Sequence, residues 1–154
     1  MATQQELKRR SRTDYHFWRD FQTRWSDNDM YDHMNNSIYN ALYDAIVNIY
    51  LVEECQLHPP TSPQYGLVVH SEVDFFGAIA FPAVAEVALR VNKMGKSSVT
   101  YEVALFEKNC PQVKSVGTIT HVFVDRDTGR PAVKGMSPEL AANLRKILVV
   151  SSKL

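Results

Sequence analysis

The sequence runs to 154 residues, with 17 basic and 17 acidic side chains, 45% hydrophobic and 22% charged residues. That length fits one domain around one core, and the hydrophobic fraction is too high for disorder. A formal net charge of zero excludes a nucleic-acid binder that works through a broad basic field, but it leaves room for a local cationic cluster.

The first fifteen residues carry Lys8, Arg9, Arg10 and Arg12 and no apolar h-region, so a secretory signal is not expected. Glu6, Asp14 and weak amphipathicity argue against a mitochondrial transit peptide. Residues 1–15 read as a flexible, solvated arm. Residues 16–25 are rich in aromatics and predict a first strand. Ser26 to Asn36 is a polar loop, and Asn35 or Asn36 is a good N-cap for a helix starting at residue 37.

Residues 37–54 predict one long helix, with Ile38, Leu42, Ala45, Ile46 and Ile49 on one face. Tyr39, Ala41, Tyr43, Val47, Tyr50 and Leu51 carry the apolar surface round most of the circumference. The polar stripe is Asn40, Asp44 and Asn48. A helix of roughly 27 Å that is apolar nearly all round needs neighbours on several sides. His58 to Pro63 then breaks the chain.

From Gly66 the period changes to two. Leu67 to Phe75, Ala83 to Val91, Val99 to Leu105 and residues 113–125 read as four consecutive strands with short turns. Ser137-Pro138-Glu139 opens a last short helix over 137–147. The order predicts an α+β fold: a curved antiparallel sheet of about five strands wrapped round the central helix. One domain is expected over 16–148, with a tail over 149–154.

That tail ends in Ser152, Lys153 and Leu154, the tripeptide read by the peroxisomal import receptor. A peroxisomal location is the expectation, and its reducing interior suits two unpaired cysteines, Cys55 and Cys110. No stretch of about eighteen apolar residues occurs, so membrane insertion is not expected. There is no Gly-x-Ser-x-Gly elbow and no dinucleotide loop. His16, His33, His58, His70 and His121 show no metal-ligand spacing with the cysteines, so no metal is expected.

The segment Trp25-Ser26-Asp27-Asn28-Asp29-Met30-Tyr31-Asp32-His33-Met34-Asn35-Asn36-Ser37-Ile38-Tyr39 resembles the signature of the hotdog-fold thioesterases. The likeness is to the 4-hydroxybenzoyl-CoA thioesterase branch and its acyl-ACP-thioesterase-like relatives. That signature runs from an aromatic strand end through Asp-x-Asp and a short loop to a Tyr on the first turn of the central helix. Gly95-Lys96-Ser97-Ser98 is similar to a later segment of the same family. The resemblance spans approximately residues 17 to 135. It implies a hotdog fold, a homodimer or homotetramer, and hydrolysis of acyl thioesters with no cofactor besides the coenzyme A of the substrate.

Carried onto this chain, the resemblance makes Asp29 the catalytic carboxylate, acting either as general base or as nucleophile. The unpaired N–H groups at the central helix start suit polarisation of the thioester carbonyl. Asn36 stands where some relatives carry His; it either orients water or substrate, or it caps the helix. Tyr39 closes the site or packs in the core. His33 assists proton transfer or stabilises the loop, and Asp27 shapes it. For coenzyme A, the candidates are Arg90, Lys93, Gly95, Lys96, Ser97 and Ser98, against the alternative of an ordinary solvated hairpin. Tyr43, Ile46, Phe75 and Phe76 either line an acyl tunnel or form plain core. The leading expectation is a peroxisomal acyl-CoA thioesterase. The alternatives are a non-catalytic acyl-CoA-binding protein of the same fold and an enoyl-CoA hydratase.

Overall fold

A computed structural model describes residues 1–150. The elements are α1 (Gln4–Lys8), β1 (Phe17–Gln22), α2 (Asn36–Glu53), β2 (Gln64–Phe75), β3 (Val84–Met94), β4 (Ser98–Glu107), β5 (Val113–Asp125) and α3 (Pro138–Arg145). The five strands form one sheet in the order β1-β3-β4-β5-β2, and every neighbouring pair is antiparallel. The α+β arrangement expected from the element order is the fold found, a long helix against one face of a five-stranded sheet, and it is the hotdog fold that the resemblance implies.

The helix crosses the sheet obliquely. Near its start, Tyr39 meets Phe75 of β2 edge-on, with ring centroids 5.0 Å apart. Tyr43 sits against Gly117 of β5, where a Cβ would come within 2.9 Å of the tyrosine ring and 2.8 Å of the Glu72 carbonyl oxygen. Near its end, Tyr50 packs edge-on to Phe17 of β1 at 4.9 Å. The buried stripe is therefore Tyr39, Tyr43, Ile46, Val47, Tyr50 and Leu51. The stripe read from the sequence was out of phase: of its members only Ile46 is buried, while Ile38, Leu42, Ala45 and Ile49 lie half-buried on a flank. An all-round apolar helix gives a weak periodic signal, and contact with the sheet, not the helix itself, selects the inward face.

β2 is one of the two edge strands of the sheet, β1 being the other. Its register against β5 shifts between Val68 and His70, and Leu67, Val68, Val69 and Phe75 are exposed. An open strand edge with apolar side chains is unusual unless something pairs with it.

The first fifteen residues are not the flexible arm that their basic composition suggested. Thr3 caps α1 in a reciprocal capping box with Glu6. Leu7, Tyr15 and Trp18 cover the outer face of the sheet, packing with Ala88, Ala104, Phe106, Val113 and Val116 into a second apolar cluster. Arg12 reaches Glu86 Oε2 (2.9 Å), the Cys110 carbonyl (2.6 Å) and the Glu107 carbonyl (3.0 Å). At the other end, Val149 N–H donates to the Val91 carbonyl, so attachment to the sheet runs past residue 148. The targeting residues Ser152, Lys153 and Leu154 lie outside the described residues. No helix among the described residues is long and apolar enough to cross a membrane.

Candidate active site

The loop between β1 and α2 is fixed before it reaches Asp29. Trp25–Asp27 forms a 3₁₀ turn, and the buried Asp27 carboxylate accepts from Arg24 N (2.8 Å), Nε (3.1 Å) and Nη2 (2.8 Å). Burial pushes the Asp27 pKa up, but the Arg24 hydrogen bonds and charge outweigh it and hold the carboxyl below the usual aspartate range. Asn28 Oδ1 accepts from Phe81 N–H (3.1 Å), and Met34 N–H donates to the Ile79 carbonyl (2.7 Å). These bonds fasten the loop to the segment that leads into β3.

Asp29 sits at the turn that results. Its N–H donates to the His33 carbonyl (3.0 Å), and its own carbonyl accepts from Asp32 N–H (3.1 Å). Asp32 takes φ +62°, a left-handed conformation that Asp and Asn tolerate better than most residues. The Asp29 carboxylate accepts from Tyr31 N–H at 2.9 Å and from Asn35 Nδ2 at 3.4 Å, and the residue is half-buried.

Asn35, not Asn36, caps α2. Its Oδ1 accepts from Ser37 N–H (3.0 Å) and from the Ser37 hydroxyl (2.7 Å), and its carbonyl accepts from Ile38 N–H (3.0 Å). The capping reading of Asn36 is therefore wrong: a residue already inside the first turn cannot cap it. Asn36 is exposed, and among the described residues neither its backbone N–H nor its side chain has a hydrogen-bond partner. The helix start thus offers one unused donor, pre-aimed by the helix geometry, close to Asp29.

The other candidates divide. Tyr39 is buried between Phe75 and Tyr43, and burial pushes its pKa up to about 12. It is a packing residue. His33 is half-buried and stacks on Tyr31, with ring centroids 6.2 Å apart and planes at 22°. Trp25, Met30 and Tyr31 are exposed around the loop, and Trp25 meets Phe81 edge-on at 5.9 Å. These exposed apolar side chains stand beside the exposed polar Asp32, Asn35 and Asn36. Tyr43 and Ile46 are wholly buried and Phe76 belongs to the outer cluster, so these three are core and not tunnel wall. Phe75 is half-exposed on the β2 edge.

The coenzyme candidates are not gathered at Asp29 within one chain. Arg90 is buried on the outer face, donating to Glu102 Oε1 (3.2 Å) and to Asn92 Oδ1 (2.8 Å). Its charge is already paired, which corrects its assignment to coenzyme A. Lys93 is exposed but lines a hollow of the outer face with Thr100 and Thr120. Gly95-Lys96-Ser97-Ser98 is a tight hairpin: Gly95 N–H donates to the Ser98 carbonyl (2.8 Å), and a Cβ at Gly95 would lie 2.6 Å from Ser98 Oγ. This hairpin closes the far end of β3, roughly 35 Å along the strand from the segment that holds the Asp29 loop. Asn35 and Arg24 are the site residues that reading for reactive side chains passed over; an Asn at a loop-to-helix junction was the available signal.

No curated protein sequence matches the chain. Among solved structures, the PA5185 protein from Pseudomonas aeruginosa is 40% identical, with a TM-score of 0.85, covering 90% of this chain and 95% of that one. Slr0204, a 1,4-dihydroxy-2-naphthoyl-CoA thioesterase from Synechocystis, shares the fold at 13% identity and a TM-score of 0.75, over 85% of this chain and 96% of that one. SAV2348 from Staphylococcus aureus, solved in complex with CoA, does so at 13% identity and a TM-score of 0.75, over 87% and 86%. The family model described as thioesterase-like superfamily matches residues 23–144. With most of its length so matched, the chain belongs to the thioesterase-like superfamily.

Proposed function

We propose that this protein hydrolyses an acyl-CoA thioester to the free acid and CoA, in the manner of the 4-hydroxybenzoyl-CoA thioesterase branch. The observation that carries the reading is the junction of loop and helix. There the Asp29 carboxylate is linked through one side chain, Asn35, to a helix start whose Asn36 N–H is free. The thioester oxygen accepts from that N–H, whose hydrogen bond strengthens as the oxygen becomes an oxyanion. Asp29 then acts in one of two ways. As general base it takes a proton from water while the hydroxide adds to the carbonyl carbon, and collapse expels the CoA thiolate. As nucleophile its carboxylate adds instead, giving a mixed anhydride and CoA thiolate, and water cleaves the anhydride. Neither route calls on a cofactor.

Two features support a homo-oligomer. The free β2 edge exposes Leu67, Val68 and Val69, and antiparallel pairing of two such edges would close it. Such pairing also reverses strand direction. The Gly95–Ser98 end of one protomer then comes alongside the Asp29 end of its partner, which answers the separation of the two within one chain. Lys96 there meets coenzyme phosphates. SAV2348, solved in complex with CoA, and Slr0204, a 1,4-dihydroxy-2-naphthoyl-CoA thioesterase, favour a CoA thioester over an acyl carrier protein.

Thiol release from a panel of acyl-CoA substrates tests the reading, with Asp29→Asn as the control. Tight acyl-CoA binding without thiol release would favour the binding-protein alternative, which rests on Asn36 being unable to ionise. Loss of enoyl-CoA absorbance without thiol release would favour the hydratase. Peroxisomal delivery through Ser152-Lys153-Leu154 belongs to the same proposal; a fluorescent fusion lacking the three residues is expected to stay in the cytosol.

A further inference from the structure

We infer that Asn35 is the positioning residue for Asp29: one carboxamide caps the central helix with its oxygen and orients the catalytic carboxylate with its nitrogen. The inference rests on the thioesterase reading of Asp29. A carboxamide offers an acceptor at one end and donors at the other, in a single plane. At Asn35 the acceptor end is committed, because Ser37 N–H and the Ser37 hydroxyl both point at Oδ1, at 3.0 and 2.7 Å. Turning the amide over would set its NH₂ against the Ser37 N–H donor. The helix therefore fixes which way the side chain faces, and Nδ2 is left facing Asp29 Oδ2, 3.4 Å away.

The backbone of Asn35 is held as well. Its N–H donates to the carbonyl of Asp27, at 2.9 Å, and Asp27 is itself locked by Arg24. Among the described residues Asp29 has one other donor to its carboxylate, Tyr31 N–H on Oδ1. That contact lies within the same turn and moves with it. Asn35 is the one that ties the carboxylate to an outside reference, the first turn of α2. Since the carbonyl-polarising Asn36 N–H belongs to that same turn, Asn35 sets the distance between the two groups that must act together on one thioester. Displacement of a reacting group by about 1 Å costs up to roughly a hundredfold in rate.

Two substitutions separate the two jobs. Asn35→Ser keeps a good N-cap and removes the donor. Asn35→Asp keeps the shape and the capping oxygen and replaces the donor by a second carboxylate facing Asp29. The expected result for both is an unchanged thermal unfolding midpoint, an unchanged KM and a kcat lowered roughly ten- to a hundredfold, with Asp the lower. In crystals of Asn35→Ser, the Asp29 carboxylate should occupy a second rotamer. A wild-type kcat in both variants, or an unmoved carboxylate in the crystal, overturns the assignment. A fall in kcat that tracks a fall in unfolding temperature also overturns it, since that is capping alone. A wild-type protein that releases no thiol from any acyl-CoA defeats the thioesterase reading instead, and the crystal arm still decides whether Asn35 orients Asp29.

Discussion

Glu102 and Asp29 are both carboxylates held by hydrogen bonds, and they differ in how completely their acceptor capacity is used. Glu102 is 1% exposed and accepts five hydrogen bonds, two from Arg10 and one each from Tyr15, Arg90 and Asn92. Every lone-pair direction is used, and the cluster ties the N-terminal segment to the outer face of the sheet. Asp29 is half-buried, accepts two hydrogen bonds and borders a helix start with an unused donor. A saturated buried carboxylate contributes to folding; an unsaturated one beside a free backbone N–H retains capacity for a ligand. The sequence drew attention to Arg90 as a coenzyme contact because it is a cation near a strand end. The saturated cluster already holds it.

Substitutions at the two carboxylates should therefore have opposite signatures. Asp29→Asn is expected to lower kcat about a thousandfold, equivalent to about 4 kcal/mol, with stability within about 0.5 kcal/mol of wild type. Thiol-release kinetics alongside thermal unfolding check both halves, and a fully active variant would break the contrast. Glu102→Ala should do the reverse. It strands Arg10 and Arg90 without their partner and is expected to cost about 3 kcal/mol in denaturant unfolding. Activity at temperatures below the transition should survive.

The same carboxylate sets a pH signature. Burial raises the Glu102 pKa, but the Arg10 hydrogen bond, the charges of Arg90 and Arg10 and the Asn92 hydrogen bond lower it more, so it is held below its ordinary value of 4.5. A depressed folded value means that its stabilisation is complete above the ordinary value. It is lost as pH falls through the lower folded value. Wild type should lose stability across that acid window, and Glu102→Ala should lose less; parallel acid titrations of the two would contradict the saturated-cluster account.

Smaller effects refine the picture. Gly117→Ala drives a methyl into the Tyr43 ring and the Glu72 carbonyl and should cost about 1–3 kcal/mol of stability, with kcat little changed at permissive temperature. Lys96→Ala should raise KM for acyl-CoA by no more than about fivefold with kcat unchanged, as expected for one exposed cation near a phosphate. No change in KM would remove the hairpin from the coenzyme site.

Much of the architecture was legible along the chain. The element order, the single long helix and the strands after Gly66 come from the change of hydrophobic period and from the proline-rich break at 58–63. Asp29 was legible because its loop carries a recognisable spacing. What escaped were facts that depend on neighbours far away in sequence. Arg90 and Glu102 sit on adjacent strands, but Arg10 and Tyr15 reach them from about ninety residues away. Composition gave no hint that a basic N-terminal stretch would dock.

The sequence by itself determined the period of each element, the position of its breaks and the loop that delivers Asp29 to a helix start, because these depend on local backbone preference and side-chain spacing. Tertiary structure alone decided which face of α2 turns inward, which arginine is already paired, and which end of the sheet each hairpin reaches. Those outcomes are set by contacts between distant segments, where burial and charge pairing override the local pattern.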